Sequence, residues 1–335
     1  MDVLEKYENL KDRISESFVI LFPNGEFFED FGAIKLAHNS TFNNVFLTFK
    51  TNIKAVISVA SIPMEMATTW TRLETYNGFF RQEMILSTPI RFDDKEYEGL
   101  SEKEIEASKN TEHLQQVERA QKQAAIRFKN EVSCKEGARR FYINTFNFID
   151  DCTRKDNQFT NSAKDLLNQS SLLTWSAFEI LFRDFFIAYY NSNFNRIESI
   201  LNDNSLKQRF NLKNIPFEKL FEYNFDLSHN MGDVLIENYD FSNLEVIRTV
   251  AAVMFDDDIE LIKMFKNDAL WELYQRRNLI VHRGGISDRR YLEKSRDNLD
   301  LGEKLYISPS ELLGYLKLIK KIGLKMFSRL TTDSF

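Results

Sequence analysis

Two stretches of this chain combine residue types that chemistry requires. The first runs Arg276-Arg277-Asn278-Leu279-Ile280-Val281-His282 and is followed by Arg283-Gly284-Gly285. An arginine offers a fixed cationic fork to phosphate or carboxylate oxygens. A histidine changes charge near neutral pH and so can move a proton. Together they suit phosphoryl chemistry without a metal: the imidazole shuttles the proton and the guanidinium neutralises charge growing on a phosphoryl oxygen. The local charge agrees. From Arg276 to Arg290 there are five arginines (Arg276, Arg277, Arg283, Arg289 and Arg290) against one acid, Asp288, in a chain of net charge −6. Arg277 and His282 are the candidate reacting pair, and Arg276, Arg283, Arg289 and Arg290 are candidate phosphate contacts.

The second stretch is Leu172–Phe186. At about 100° per residue, Leu172, Trp175, Phe182, Phe186 and Tyr190 form one apolar stripe with Glu179 inside it. On the helix read over 268–282, Leu270, Leu273, Tyr274 and Val281 cover an arc of about 100°, and Arg277 falls in its middle. Each helix thus carries one charge of opposite sign on its apolar face. An unpaired buried charge is costly, so Glu179 and Arg277 are expected to pair. Arg183, one turn after Glu179, shares that face. His282 lies about 140° round from Arg277 and nearly in line with Asn278. It stands in the last turn before the Gly-Gly stop, where a helix end favours an imidazolium.

The elements that hold these residues follow from composition. A chain of 335 residues suggests two domains and is long enough for a sizeable core. It has only 11 glycines and 5 prolines, which favours long helices, and 30 phenylalanines, which favour aromatic cores. Residues 1–16 read as a short polar helix. Between 17 and 92, Phe18–Phe22, Val45–Phe49, Ala55–Val59 and Met84–Ser87 are short runs rich in β-branched and aromatic residues with turn punctuation, which predicts strands. Residues 1–92 are therefore read as an α+β domain. Residues 93–135 are charged and Gln-rich, with a capping box at Ser101 and Glu104, and predict a long exposed connecting helix. Residues 136–335 predict an all-α bundle, with helices near 138–152, 160–191, 243–255, 258–283 and 309–330. The fold class expected overall is α+β.

Several chemistries are disfavoured. The two cysteines, Cys134 and Cys152, form no CxxC pair, so a zinc site or disulfide framework is not expected and a reducing, cytoplasmic setting is. No metal or other cofactor is expected. Asp256-Asp257-Asp258 reads as a solvated helix start rather than a metal cluster. There is no Gly-rich nucleotide loop. The first residues are too charged for a signal peptide, and no apolar run approaches the roughly 20 residues a bilayer requires, so no membrane partner is expected.

Arg277-Asn278-Leu279-Ile280-Val281-His282 resembles the R-N-x-x-x-H motif of the HEPN superfamily of metal-independent ribonucleases. Glu179-Ile180-Leu181-Phe182-Arg183 is similar to the E-x3-K/R element on an earlier helix of that fold. The resemblance covers about residues 136–335 and does not reach the N-terminal part. It implies a helical bundle that pairs two protomers, so that Arg277 of one chain acts with His282 of the other in a shared cleft. The implied reaction is endonucleolytic cleavage of RNA, with tRNA among the candidate substrates, by attack of the ribose 2′-hydroxyl, leaving a 2′,3′-cyclic phosphate and a 5′-hydroxyl. His282 would handle the proton, Arg277 would stabilise the phosphorane, Asn278 would orient one of them and Glu179 would hold Arg277. Arg276, Arg283, Arg289 and Arg290 would contact RNA. Proteins of this kind act as toxins in antiviral defence and abortive infection, which would make the N-terminal domain the receiver of a phage-derived trigger or a regulatory partner. Trp271 shares the side of the helix that carries His282 and is available either for packing or for stacking on a base. A toxin subgroup carries Tyr two positions after the His, the site of modification by a nucleotidyltransferase antitoxin; Gly284 occupies that position here. The alternative is a catalytically inactive HEPN-like module for dimerisation or RNA binding.

Overall fold

Apolar residues recurring every three or four positions decide the architecture. The structure is a computed structural model that describes residues 3–16, 18–20, 26–38, 40–87, 99–155, 157–204, 206, 217–236 and 241–332. Among the described residues 81% are helical and no strand occurs. The fold is all-α, not the α+β class expected from sequence. The helices are α1 (Val3–Glu16), α2 (Thr41–Leu86), α3 (Glu102–Ser133), α4 (Lys135–Lys155), α5 (Asn157–Ser192), α6 (Ile197–Asn202), α7 (Phe217–Glu222), α8 (Met231–Ile236), α9 (Leu244–Met254), α10 (Ile259–Phe265), α11 (Asp268–Arg283), α12 (Arg289–Leu292) and α13 (Pro309–Thr332). A 3-10 helix spans Glu26–Ala33.

The strands expected in 17–92 are overturned by α2. Val45–Phe49 and Ala55–Val59 lie inside this one helix of 46 residues. Phe46, Phe49, Ile53, Val56, Ala60 and Ala67 are all buried, at the spacing of a helix stripe. β-Branched residues are only a weak prior for strands, and windows of five residues are too short to show the longer period. Met84–Leu86 closes the same helix and Ser87 is a turn. Of Phe18–Phe22, residues 21 and 22 lie outside the described residues. By length and composition α2 could cross a membrane: an 18-residue window has mean hydropathy 1.4, and 33% of that window is buried inside the protein.

The chain divides into two compact units, Met1–Ile20 with Ile62–Thr160, and Leu21–Ser61 with Asn161–Phe335. Both units are discontinuous, so they do not follow the sequential split at 92 and 135. The change of unit within α2 falls beside Pro63, which lacks the N–H that would continue the helix ladder. In the first unit α1 packs on α4, with Tyr7 and Phe146 ring centroids 5.7 Å apart. Trp70 stacks on Phe148 at 5.7 Å. The helix α3 is long and largely exposed, burying Ala120 and Ala124. It is part of this unit rather than a free connector: Arg127 pairs with Glu83 at 2.7 Å and lies 4.7 Å from the Phe79 ring centroid. At its start Glu104 accepts from both the N–H and the hydroxyl of Ser101, at 2.9 and 2.7 Å.

The second unit holds the candidate chemistry. Its core is aromatic. On α5, Trp175, Phe178, Phe182, Phe185 and Phe186 are fully buried. Phe185 meets Phe327 of α13 at 5.5 Å, and Phe46 meets the same ring at 5.1 Å. Gly323 lets α13 approach α2 closely, since a Cβ there would stand 2.5 Å from Phe49. The helix expected over 258–283 is two helices, α10 and α11. Asp258 caps the first by accepting from Leu261 N–H at 2.9 Å, and Asn267 caps the second by accepting from Ala269 N–H at 2.8 Å.

Candidate active site

The local sequence ends α11 sharply. Gly284 and Gly285 have φ of +62° and +85°, which only glycine adopts without strain. Their N–H groups donate to the Ile280 and Leu279 carbonyls at 3.0 and 3.2 Å and satisfy the end of the helix. The chain then pairs locally with 302–305: Leu305 N–H donates to the Gly285 carbonyl at 2.8 Å, and Ser287 N–H to the Glu303 carbonyl at 2.8 Å. Asn168 of α5 anchors this segment. Its buried amide donates to the Leu305 carbonyl and accepts from Ile307 N–H, both at 3.0 Å.

Leu270, Leu273, Arg276, Leu279 and Ile280 face the core, and Val281 is exposed. The buried face is therefore rotated by one residue from the expected arc. The arginine at its centre is Arg276, 6% exposed, and not Arg277. Arg276 grips both oxygens of Asp297, at 2.5 and 3.2 Å, and reaches Glu311 at 2.8 Å and the Tyr315 hydroxyl at 2.5 Å. Tyr291 completes the set by donating to Asp297. Burial pushes the Asp297 carboxyl up, but hydrogen bonds from Arg276 and Tyr291 outweigh it and hold the group below its ordinary value. Burial likewise raises the Tyr291 and Tyr315 hydroxyls. A guanidinium so enclosed and paired has no fork to offer RNA, so Arg276 is a structural residue and its expected role as an RNA contact is corrected.

Arg277 is half-buried, and its Nη1 donates to the Asn278 carboxamide oxygen at 2.9 Å. These two candidate residues are thus brought together. His282 is exposed in the last turn, on a different side of the helix. The expected Glu179–Arg277 pair does not form: among the described residues no ion pair joins them. Glu179 accepts instead from Trp175 Nε1, its neighbour one turn earlier, at 2.9 Å. Arg183 turns away to Asp184 at 2.9 Å. The helices α5 and α11 nevertheless touch at this level, with Trp175 and Tyr274 ring centroids 5.1 Å apart.

Past the helix end, Arg283 pairs with Asp288 at 3.2 Å in an exposed position. Arg289 and Arg290 are exposed, and the charge of Arg290 helps to hold the Asp288 carboxyl below its ordinary value after the Tyr291 N–H and Arg283 hydrogen bonds. They remain open to an anionic ligand. Among the described residues no cluster of three or more His, Cys, Asp or Glu could hold a metal. Within the acidic run read as a helix start, Asp258 caps α10 and Asp257 pairs with Arg329 at 2.7 Å.

Sequence reasoning missed a pocket of about 260 Å³ at the other end of α11, walled by Trp271, Glu272, Gln275, Tyr291 and Ser295 among others. The signal was present in the spacing. Trp271, Gln275, Asn278 and His282 recur four, three and four residues apart, one stripe on an ideal helix. No protein-family model, curated protein or solved structure matches this chain.

Proposed function

We propose that this protein is a metal-independent endoribonuclease, resembling the HEPN type, that works as a homodimer with a composite site. The observation that carries the reading is the end of α11: an exposed His282 in a glycine-terminated last turn, five residues after an Arg277 held by Asn278. Neutral His282 takes the proton of a ribose 2′-hydroxyl while that oxygen attacks the adjacent phosphorus. The P–O5′ bond breaks, and the imidazolium returns the proton to the leaving 5′-oxygen. The products are a 2′,3′-cyclic phosphate and a 5′-hydroxyl. Arg277 neutralises the equatorial oxygens of the phosphorane, and Asn278 fixes the rotamer of Arg277. Arg283, Arg289 and Arg290 draw in the flanking phosphates, which offsets the acidity of the whole chain.

The helix geometry is compatible with the dimer. About 140° of helix separates the backbone positions of Arg277 and His282. A second copy crossing at this helix end would let the two groups come from different chains. Val281 and Ile286, 51% and 42% exposed beside His282, are apolar residues that such a contact would cover. The biological role that suits the reading is a cytoplasmic toxin effector in antiphage defence, triggered by a phage-derived or regulatory partner. The rival is a bundle that binds RNA or dimerises without cleaving.

Incubation of the chain with total RNA or tRNA in EDTA separates the two. Cleavage that persists under chelation, leaves cyclic phosphate ends and vanishes in His282→Ala supports the enzyme. RNA binding without cleavage, unchanged in that variant, supports the rival.

A further inference from the structure

The pocket beside Trp271 is built but unfilled in hydrogen-bonding terms. Gln275 is 8% exposed and lines the pocket. Ser295 contributes a hydroxyl that is buried without a partner. Glu272, half-buried one turn before Gln275, pairs with no described cation. The other acids are engaged: Asp268 by Arg296 at 2.8 Å and Asp297 by Arg276. Buried polar groups in native proteins are ordinarily satisfied, so the unpartnered Ser295 hydroxyl, with Gln275 and Glu272 beside it on the pocket wall, points to a polar ligand.

The rings suggest its shape. Trp271 is held by Nε1–H donation to the Lys294 carbonyl at 3.4 Å and by the Arg248 guanidinium 5.7 Å from its ring centroid. Tyr291 is locked through Asp297. A volume of about 260 Å³ lies below the roughly 300–1,000 Å³ of pockets that enclose drug-sized ligands. It suits one flat ring system with an edge rich in donors.

We propose that this pocket is a guanine-binding subsite. A carboxylate is acceptor-only, and Glu272 offers two oxygens to the N1–H and N2–H of guanine. The Gln275 amide can donate to O6. Adenine would turn its N1 lone pair toward the carboxylate and is disfavoured. Recognition of an unstacked base by its Watson–Crick edge between aromatic side chains is the ordinary mode for single-stranded RNA. Gln275 and His282 are two turns apart on one face, about 10.5 Å along the axis. A single extended nucleotide bridges that span, placing the phosphate that follows the guanosine at His282. The subsite thus deepens the ribonuclease reading, and its place beside a scissile phosphate rests on that reading.

The test uses the full chain with guanosine 3′-monophosphate and adenosine 3′-monophosphate, followed by calorimetry or Trp fluorescence. The guanosine nucleotide should bind at least about tenfold more tightly, the discrimination a bidentate contact provides. Glu272→Gln should abolish that preference. Equal affinities, no binding of either nucleotide, or a preference untouched by Glu272→Gln in a folded variant overturns the subsite. Mapped cleavage sites on RNA keep the two readings apart. Cleavage without regard to guanosine sinks the subsite and spares the ribonuclease. Guanosine preference in a protein that never cuts RNA sinks the ribonuclease and spares the subsite.

Discussion

Arg276 holds Asp297 through a two-pronged contact, Nη2 to Oδ1 at 2.5 Å and Nε to Oδ2 at 3.2 Å, with side-chain exposures of 8% and 15%. The pair ties α11 to the segment after α12, and Glu311 and Tyr315 extend it to α13. It fixes the rotation of α11 and therefore which side of that helix Arg277 and His282 occupy.

Removing only the cation leaves two carboxylates poorly compensated. Arg276→Ala is expected to cost about 3–5 kcal/mol, the range for breaking one partner of a buried pair. Urea unfolding would report it as a lower midpoint at unchanged slope. The double variant Arg276→Ala with Asp297→Ala should lose less than the sum of the singles. Strict additivity would show that the contact contributes nothing.

The same network makes stability sensitive to acid. Asp297 and Glu311 both have folded-state values below the ordinary ones, in spite of burial, because of hydrogen bonds from Arg276 and Tyr291 to the first and from Ser308 and Arg276 to the second. A depressed carboxyl binds fewer protons folded than unfolded. Its stabilisation is complete above the unfolded value, near 4, and is lost as pH falls through the folded value. Melting temperatures should fall below about pH 4. Asp297→Asn should flatten part of that acid limb, while leaving the trend above pH 5 unaltered.

How far the sequence could be read depends on the range over which each residue finds its partner. The apolar stripe of α5 was legible because Trp175, Phe182, Phe186 and Tyr190 repeat within one helix. The stripe of α2 carries the same period, but windows as short as Val45–Phe49 and Ala55–Val59 show only β-branched and aromatic composition, which predicts strands. Glu179 and Arg277 each sat inside an apolar arc, yet the arc on α11 admits two centres one residue apart. Its choice of Arg276 is made by Asp297, Glu311 and Tyr315, partners that no local pattern announces. The glycine stop after His282 was legible because left-handed backbone restricts residue type.

Asn168 does for the 305–307 segment what a neighbouring strand would do in a sheet. Asn168→Ala would leave the Leu305 carbonyl and Ile307 N–H unmet inside the protein. With about 1–3 kcal/mol per orphaned group, a loss of at least about 2 kcal/mol is expected. Amide exchange at Ile307 should speed up by a comparable factor. A variant as stable as the parent would mean the segment is held by its side chains alone.

Glycine contacts give a paired test of packing. A Cβ on Gly232 would meet the Ile187 carbonyl oxygen at 2.4 Å, whereas one on Gly314 meets nothing within 4 Å. Gly232→Ala should destabilise by about 1–3 kcal/mol through overpacking. Gly314→Ala, inside α13, should stabilise by about 0.5–1 kcal/mol through lower unfolded-state freedom. Thermal melts of the two variants should move in opposite directions.

The proposed composite site makes a prediction that no single-subunit site shares. Arg277→Ala and His282→Ala chains should each be inactive as homodimers. In a verified heterodimer, one of the two clefts takes both of its intact groups, provided that Arg277 and His282 act across the interface. Mixing the variants should then recover activity, up to about half that of the parent if the two clefts work independently. Were both groups drawn from one subunit, each cleft of the mixed dimer would lack one of them, and no recovery would follow. Val281→Glu adds a second arm: a charge placed at the proposed contact should shift the oligomer toward monomer and abolish cleavage. That variant should still melt cooperatively, since Val281 is 51% exposed in the single chain. Full cleavage by a monomeric Val281→Glu protein would refute the shared cleft.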